Sequence, residues 1–250
     1  MSGHSKWATI KRQKGKADAA RGKVFSRLIR EITVAARMGG ADPGGNPRLR
    51  SAISTARNNN MPNKNIETAI AKGTGQLEGA TYEEITFEAY APNGVAILVE
   101  TVTDNRNRTV AEIRHLLTKA GGSLGGTNSV NWMFKTKGVI RVPREAKAEE
   151  ELMELAIEAG AEDMATEDEY YEITTSSESF DDVRSAIEQA GIAMESAELN
   201  KIPDNTVSLS GDAAMKVLKL IDALDDCDDT QHVYSNLDVD DDVLEKYSSS

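Results

Sequence analysis

The sequence predicts an α+β protein of three domains: a basic N-terminal three-helix domain, a discontinuous α/β domain, and a ferredoxin-like βαββαβ domain inserted into the second. Three observations lead there. Charge breaks sharply near residue 80, with a net of +10 over residues 1–80 and −22 over residues 81–250 of the 250-residue chain. Apolar periodicity is helical before the break and mixed strand and helix after it. From Lys135 to Ile202 the segments run strand, helix, strand, strand, helix, strand, the ferredoxin-like order. The expected boundaries are 1–80, 81–134 with 203–250, and 135–202.

A hydrophobic content of 39% is enough for several small cores, and an aromatic content of 5% argues for compact modules over a large β-sandwich. The single Cys227 excludes an internal disulfide, fits a reducing compartment, and reads as a helix-end packing residue more readily than as a nucleophile. No stretch reaches the ~20 apolar residues of a membrane span, and the basic N-terminus lacks the apolar segment of a signal peptide. A cytoplasmic protein without membrane contact is expected.

Residues 1–30 hold nine cations (Lys6, Lys11, Arg12, Lys14, Lys16, Arg21, Lys23, Arg27 and Arg30) against one acid, Asp18, which is the footprint of a phosphate-backbone binder. Lys6 to Lys23 has little apolar periodicity and is expected to stay mobile until something binds it. Phe25, Leu28, Ile29, Ile32 and Ala36 then mark one helix face, with Arg27 and Arg30 toward solvent and Gly39-Gly40 as the stop. Asn46-Pro47 opens a second helix burying Leu49, Ala52, Ile53 and Ala56. On it Arg50 and Arg57, seven residues apart, share a face. A third helix begins near Pro62, buries Ile66, Ala69 and Ile70, and ends at Lys72-Gly73. Trp7 beside Lys6 either stacks on a base, worth about 1–3 kcal/mol, or pins the arm to its own core.

Gly73 to Ala80 reads as a linker. Ile85, Phe87 and Ala89 alternate with Thr86, Glu88 and Tyr90 as a half-buried strand, and Pro92-Asn93-Gly94 turns into an apolar strand, Val95–Val99. Thr109 with Glu112 three residues on reads as a capping box for a helix burying Val110, Ile113, Leu117 and Ala120. In the loop before it, Arg106 and Arg108 either meet a phosphate at the helix N-terminus or pair with acidic neighbours. After the inserted domain, Thr206–Leu209, a helix through Met215, Leu218, Ile221 and Leu224, and a strand at Val233-Tyr234 complete the α/β domain.

Gly3-His4-Ser5-Lys6-Trp7, the run Lys14 to Lys23, Gly39-Gly40 with Asp42-Pro43, Asn46-Pro47-Arg48-Leu49-Arg50, Asn59-Asn60-Met61-Pro62 and Thr103–Thr109 together resemble the YebC/PmpR family. The resemblance extends to Asp225–Asp229, Val233-Tyr234 and Asn236, with Thr230 a departure where relatives often carry Val. It implies a three-domain, cytoplasmic, DNA-binding transcriptional regulator, while mitochondrial and some bacterial relatives are associated with translation.

Enzymatic signals fail on context. Gly121–Gly125 matches Gly-x-Ser-x-Gly, but a helix precedes the serine where a nucleophile elbow needs a strand. Gly73-Thr74-Gly75 does not continue into a phosphate loop, and no cysteine or histidine cluster has zinc-ligand spacing. The run Asp225, Asp226, Asp228, Asp229 lacks the glycine turn and final glutamate of an EF-hand loop. This acidic surface either folds back on the basic arm in competition with nucleic acid or contacts a basic protein. The expectation is a non-enzymatic regulator without cofactor or metal, using Lys6, Trp7, Lys11, Arg12, Lys14, Lys16, Arg21, Lys23, Arg27, Arg30, Arg50, Arg57, Arg106 and Arg108 on DNA. The alternative target is ribosomal or messenger RNA.

Overall fold

The structure, a computed structural model, describes residues 18–248. Residues 132–206 form one compact unit, and the described residues before 132 and after 206 form a second.

The second unit opens with three helices: α1 (Asp18–Gly39), α2 (Pro47–Asn58) and α3 (Asn63–Gly73). Ile32, Ala35, Ala36, Leu49, Ala52, Ile53, Ala56, Ile66 and Ala69 form their core, flanked by Phe25, Leu28, Ile29 and Ile70. The helical stripes expected from periodicity therefore face inward. Asn46 caps α2 by accepting from Leu49 N at 3.1 Å, and its amide also donates to the carbonyls of Ala35 and Gly40 at the end of α1. One buried side chain thus satisfies backbone groups of two helix termini. Gly40, at φ +85°, supplies the left-handed stop of α1. A Cβ at Gly73 would lie 2.3 Å from Thr33 O, so α3 approaches α1 at a distance only glycine allows.

The segment expected to stay mobile through Lys23 is already helical from Asp18; residues 6–17 lie outside the described residues. Short basic helices gain order from tertiary contacts rather than propensity, and α1 has such contacts near its start, at Lys23.

The α/β part of this unit is a four-stranded sheet of β1 (Glu83–Tyr90), β2 (Ala96–Thr103), β3 (Ser123–Leu124) and a strand from beyond residue 206, β9 (Thr230–Ser235), in the order β3-β1-β2-β9. Its neighbouring strands are antiparallel, with Glu83 opposite Thr103 and Ile97 opposite Ser235. The β2–β9 pairing joins the two sequence halves of the domain. Helices α4 (Arg106–Ala120) and α7 (Gly211–Asp225) share its core, including Ile97, Val99, Ile113, Leu117, Leu218 and Leu224. A parallel pair, β8 (Val207–Leu209) with β10 (Leu237–Val239), and a terminal helix α8 (Asp241–Ser248) complete the unit. Neither β10 nor α8 was expected from the sequence.

Residues 132–206 contain β4 (Phe134–Pro143), α5 (Glu149–Glu158), β5 (Ala161–Thr166), β6 (Tyr170–Ser176), α6 (Phe180–Gln189) and β7 (Ser196–Pro203). The sheet order β5-β6-β4-β7, antiparallel throughout, is the ferredoxin-like arrangement. Ile140, Val142, Leu152, Ile173, Val183 and Ile187 fill its core.

Two local expectations are corrected. The cap of α4 is Asn105, which accepts from Arg108 N at 3.1 Å, while Thr109 lies fully buried in the first turn. The Thr109 hydroxyl is drawn instead to a buried carboxylate, Asp229, at 2.7 Å. Glu88, expected on the solvent side of β1, is buried and accepts from the backbone N–H groups of Asn128, Val130 and Asn131 at 2.6–2.7 Å. Burial raises its pKa, but these amides outweigh it and hold the carboxyl below its usual value.

Candidate nucleic-acid interface

Lys23, Arg27 and Arg30 stand at i, i+4 and i+7 of α1 and therefore share one face. That face does not point to open solvent, as the sequence suggested for Arg27 and Arg30. It meets the last turn of α7 and the turn that follows. Lys23 Nζ lies 2.8 Å from Asp226 Oδ1 and also donates to the Asp226 carbonyl. Arg27 Nη2 reaches Asp225 Oδ2 at 3.2 Å and the Asp225 carbonyl. Arg30 donates to the Asp228 carbonyl and stands 3.3 Å from Asp229 Oδ1. The three cationic side chains are only 27, 20 and 17% exposed. The physical cause is twofold: the final carbonyls of α7 lack intrahelical donors, and the negative end of the helix adds to four clustered aspartates.

Asp229 is the deepest of these carboxylates, 1% exposed at the side chain. Arg108 Nη2 donates to both of its oxygens at 2.7 and 3.0 Å, and Thr103 and Thr109 donate to Oδ2 at 3.0 and 2.7 Å. Burial pushes the Asp229 pKa up, but the Arg108, Thr109 and Thr103 hydrogen bonds win and keep it below the usual carboxylate range. Arg108 also meets Asp104 at 2.8 Å, and these two partners raise its pKa further. Of the two readings open for the Asp104–Arg108 loop, pairing with acidic neighbours describes Arg108. Arg106 is exposed and forms no ion pair among the described residues.

Elsewhere the helical module presents open cations. Arg50 and Arg57 are both exposed on α2, with Arg50 steadied by the carbonyls of Pro43 and Gly44. Arg37, Lys64 and Lys72 are exposed as well, and none of these five forms an ion pair among the described residues. Arg37 and Lys72 line a cleft of about 310 Å³ beside the linker. Arg48 differs: it forks onto Glu31 at 2.7 and 2.9 Å and onto Glu84 at 2.6 and 3.1 Å, tying α2 to α1 and β1. Sequence reasoning missed that lock, whose only signal is an arginine at the first turn of α2.

Lys6, Trp7, Lys11, Arg12, Lys14 and Lys16 lie outside the described residues, as does the Arg21 side chain, although Arg21 falls within α1. Cys227 is buried at the end of α7, where burial pushes its thiol up to about 12, so it has no nucleophilic character near neutrality. Among the described residues no group of His, Cys, Asp or Glu is placed to hold a metal ion. No helix among them is long and apolar enough to cross a membrane.

Two family profiles cover most of the chain: the TACO1/YebC protein N-terminal domain matches residues 5–76, and the TACO1/YebC second and third domain matches residues 82–237. A probable transcriptional regulatory protein of Chlorobaculum tepidum is 58% identical over 245 residues, 98% of each chain. One of Chlorobium phaeobacteroides is 53% identical over 250 residues, the full length of both. The crystal structure of a conserved hypothetical protein from Aquifex aeolicus superimposes with a TM-score of 0.83 at 48% identity, covering 91% of this chain and 94% of that one.

Proposed function

Because the chain belongs to the TACO1/YebC family, whose curated members are named probable transcriptional regulatory proteins, we propose that it is a non-enzymatic, DNA-binding regulator of transcription that grips phosphates through residues 1–80. The observation that carries this reading is the division of cations within that module. Arg37, Arg50, Arg57, Lys64 and Lys72 are exposed without an ion pair among the described residues, on a chain whose net charge is −12. Cations kept open on an otherwise acidic protein favour a polyanion at one end and repel it elsewhere. The cations of the preceding stretch, Lys6 to Arg21, extend the same footprint along the chain, and Trp7 adds a base-stacking surface. Arg106 supplies a further contact from the α/β part.

A second reading, association with ribosomal or messenger RNA in the cytoplasm, is favoured by the kind of contact available. Arginines directed at phosphates carry no sequence information by themselves. One comparison separates the two. A transcriptional regulator prefers its site over random duplex by at least about 10³-fold, because base contacts must outweigh genomic competition. A translation factor co-sediments with ribosomes and loses them when Lys11, Arg12, Lys14 and Lys16 become Glu. Ribosome association without site preference overturns the transcriptional reading.

A further inference from the structure

The face of α1 that carries Lys23, Arg27 and Arg30 is occupied, and its occupant has the chemistry of a nucleic-acid backbone. Each cation meets anionic or carbonyl oxygens from residues 225–229. A phosphodiester offers the same kind of acceptor to the same donors. Arg27 and Arg30 lie about 6 and 10 Å from Lys23 along the helix axis, a stripe rather than a single point. In sequence this stripe continues the basic run Lys6–Arg21, so a polyanion following that run arrives at positions filled by aspartates.

Burial divides the contact: Asp226 is 78% exposed at the side chain, whereas Asp225 is 10% and Asp229 1% exposed. Exposed pairs such as Lys23–Asp226 are weak and open readily, whereas Asp229 is fixed by Arg108 and two threonine hydroxyls. Asp226 and Asp228, both exposed, are thus the releasable members, and Asp225 and Asp229 are anchors.

We propose that Asp226, through its carboxylate, and Asp228, through its carbonyl, stand in for backbone phosphates at Lys23 and Arg30 and mask this face of α1, so that nucleic acid binds fully only by displacing them. The proposal rests on the nucleic-acid reading above and adds an intramolecular competitor to it. It concerns phosphodiester chemistry, which DNA and RNA share.

The test uses the full chain and the variant Asp226→Asn, Asp228→Asn, titrated by fluorescence anisotropy against labelled random duplex DNA and single-stranded RNA across a salt series. Buried Asp225 and Asp229 are left intact. A control neutralises the exposed carboxylates Glu150 and Glu154 to Gln, far along the chain in residues 132–206. Unmasking predicts about three- to tenfold tighter binding for the aspartate variant than for the control. It also predicts a log K against log salt slope steeper by about 1–2 on duplex DNA, as up to two phosphates are newly neutralised. Adding Lys23→Ala removes the gain. The nucleic acid showing the larger gain identifies the polyanion that α1 takes. Equal affinity of wild type and variant, or an equal gain in the control, overturns the masking and leaves the proposed function standing. Absence of binding by every protein overturns both.

Discussion

Arg108 and Asp229, 121 positions apart, meet through one guanidinium nitrogen at 2.7 and 3.0 Å from the two carboxylate oxygens. The same carboxylate takes Thr103 and Thr109 hydroxyls on Oδ2 and faces Arg30 at 3.3 Å on Oδ1. A single buried charge therefore ties α1 to β2 and α4. Removing it takes a partner from two arginines and two hydroxyls at once.

Asp229→Ala is expected to cost about 3–5 kcal/mol, the range for breaking one side of a buried ion pair, and Asp229→Asn less because the amide still accepts. The wild-type folded pKa lies below the unfolded value. The charge thus contributes stability that is fully present above about pH 4 and is lost as pH falls through the folded pKa. Denaturant melts between pH 3 and pH 7 should show a flatter acid limb for Asp229→Asn; an unchanged limb removes Asp229 from the acid response.

Arg106 and Arg108 should separate by single substitution. Arg108→Ala is expected to lower the melting temperature by several degrees, since hydrogen bonds to charged groups contribute about 1.5–3 kcal/mol. Arg106→Ala should leave the melting temperature unchanged and weaken duplex binding, reducing the salt slope by about 1. Calorimetry and anisotropy titration on the same preparations check both.

Arg50→Ala with Arg57→Ala tests the exposed face of α2. If the protein neutralises five to eight phosphates, the wild-type salt slope on duplex DNA is about −4 to −7, and the double variant should flatten it by about 2. Its melting temperature should fall by no more than a few degrees, because neither side chain forms an ion pair among the described residues and the Arg50 bonds to the Pro43 and Gly44 carbonyls are exposed. A wild-type slope near zero would remove phosphate contact from the account.

Glu88→Gln keeps the shape of the side chain but removes the charge and one of the two oxygens that together accept from three backbone donors. A loss of about 1.5–3 kcal/mol is expected. Amide exchange at Asn128, Val130 and Asn131 should rise together. The folded pKa of Glu88 is depressed, so this contribution is present above the unfolded pKa and fades as pH falls through the folded value.

What the sequence made legible were features whose physics is local. Asn46 and Pro47 mark the start of α2 because a cap needs only a side-chain oxygen two or three residues from a free N–H. The stripes of α1, α2 and α3 and the ferredoxin-like order follow from periodicities of 3.6 and 2, which each element carries alone. Thr109 shows where locality fails. Its capping signal is sound in isolation, yet Asn105 takes the cap and Asp229 takes the hydroxyl.

By itself the sequence determined the family motifs, the basic and acidic halves and the order of elements, because each depends on residues close together in the chain. Only the tertiary structure decided which charges are open. Lys23, Arg27 and Arg30 carry the same charge as Arg50 and Arg57, but the first three face aspartates some 200 residues away while the others remain exposed. An ion pair depends on distance in space, falling off within a few ångströms and screened beyond about 10 Å. Composition counts a paired arginine and an open one alike; the fold of α7 against α1 separates them.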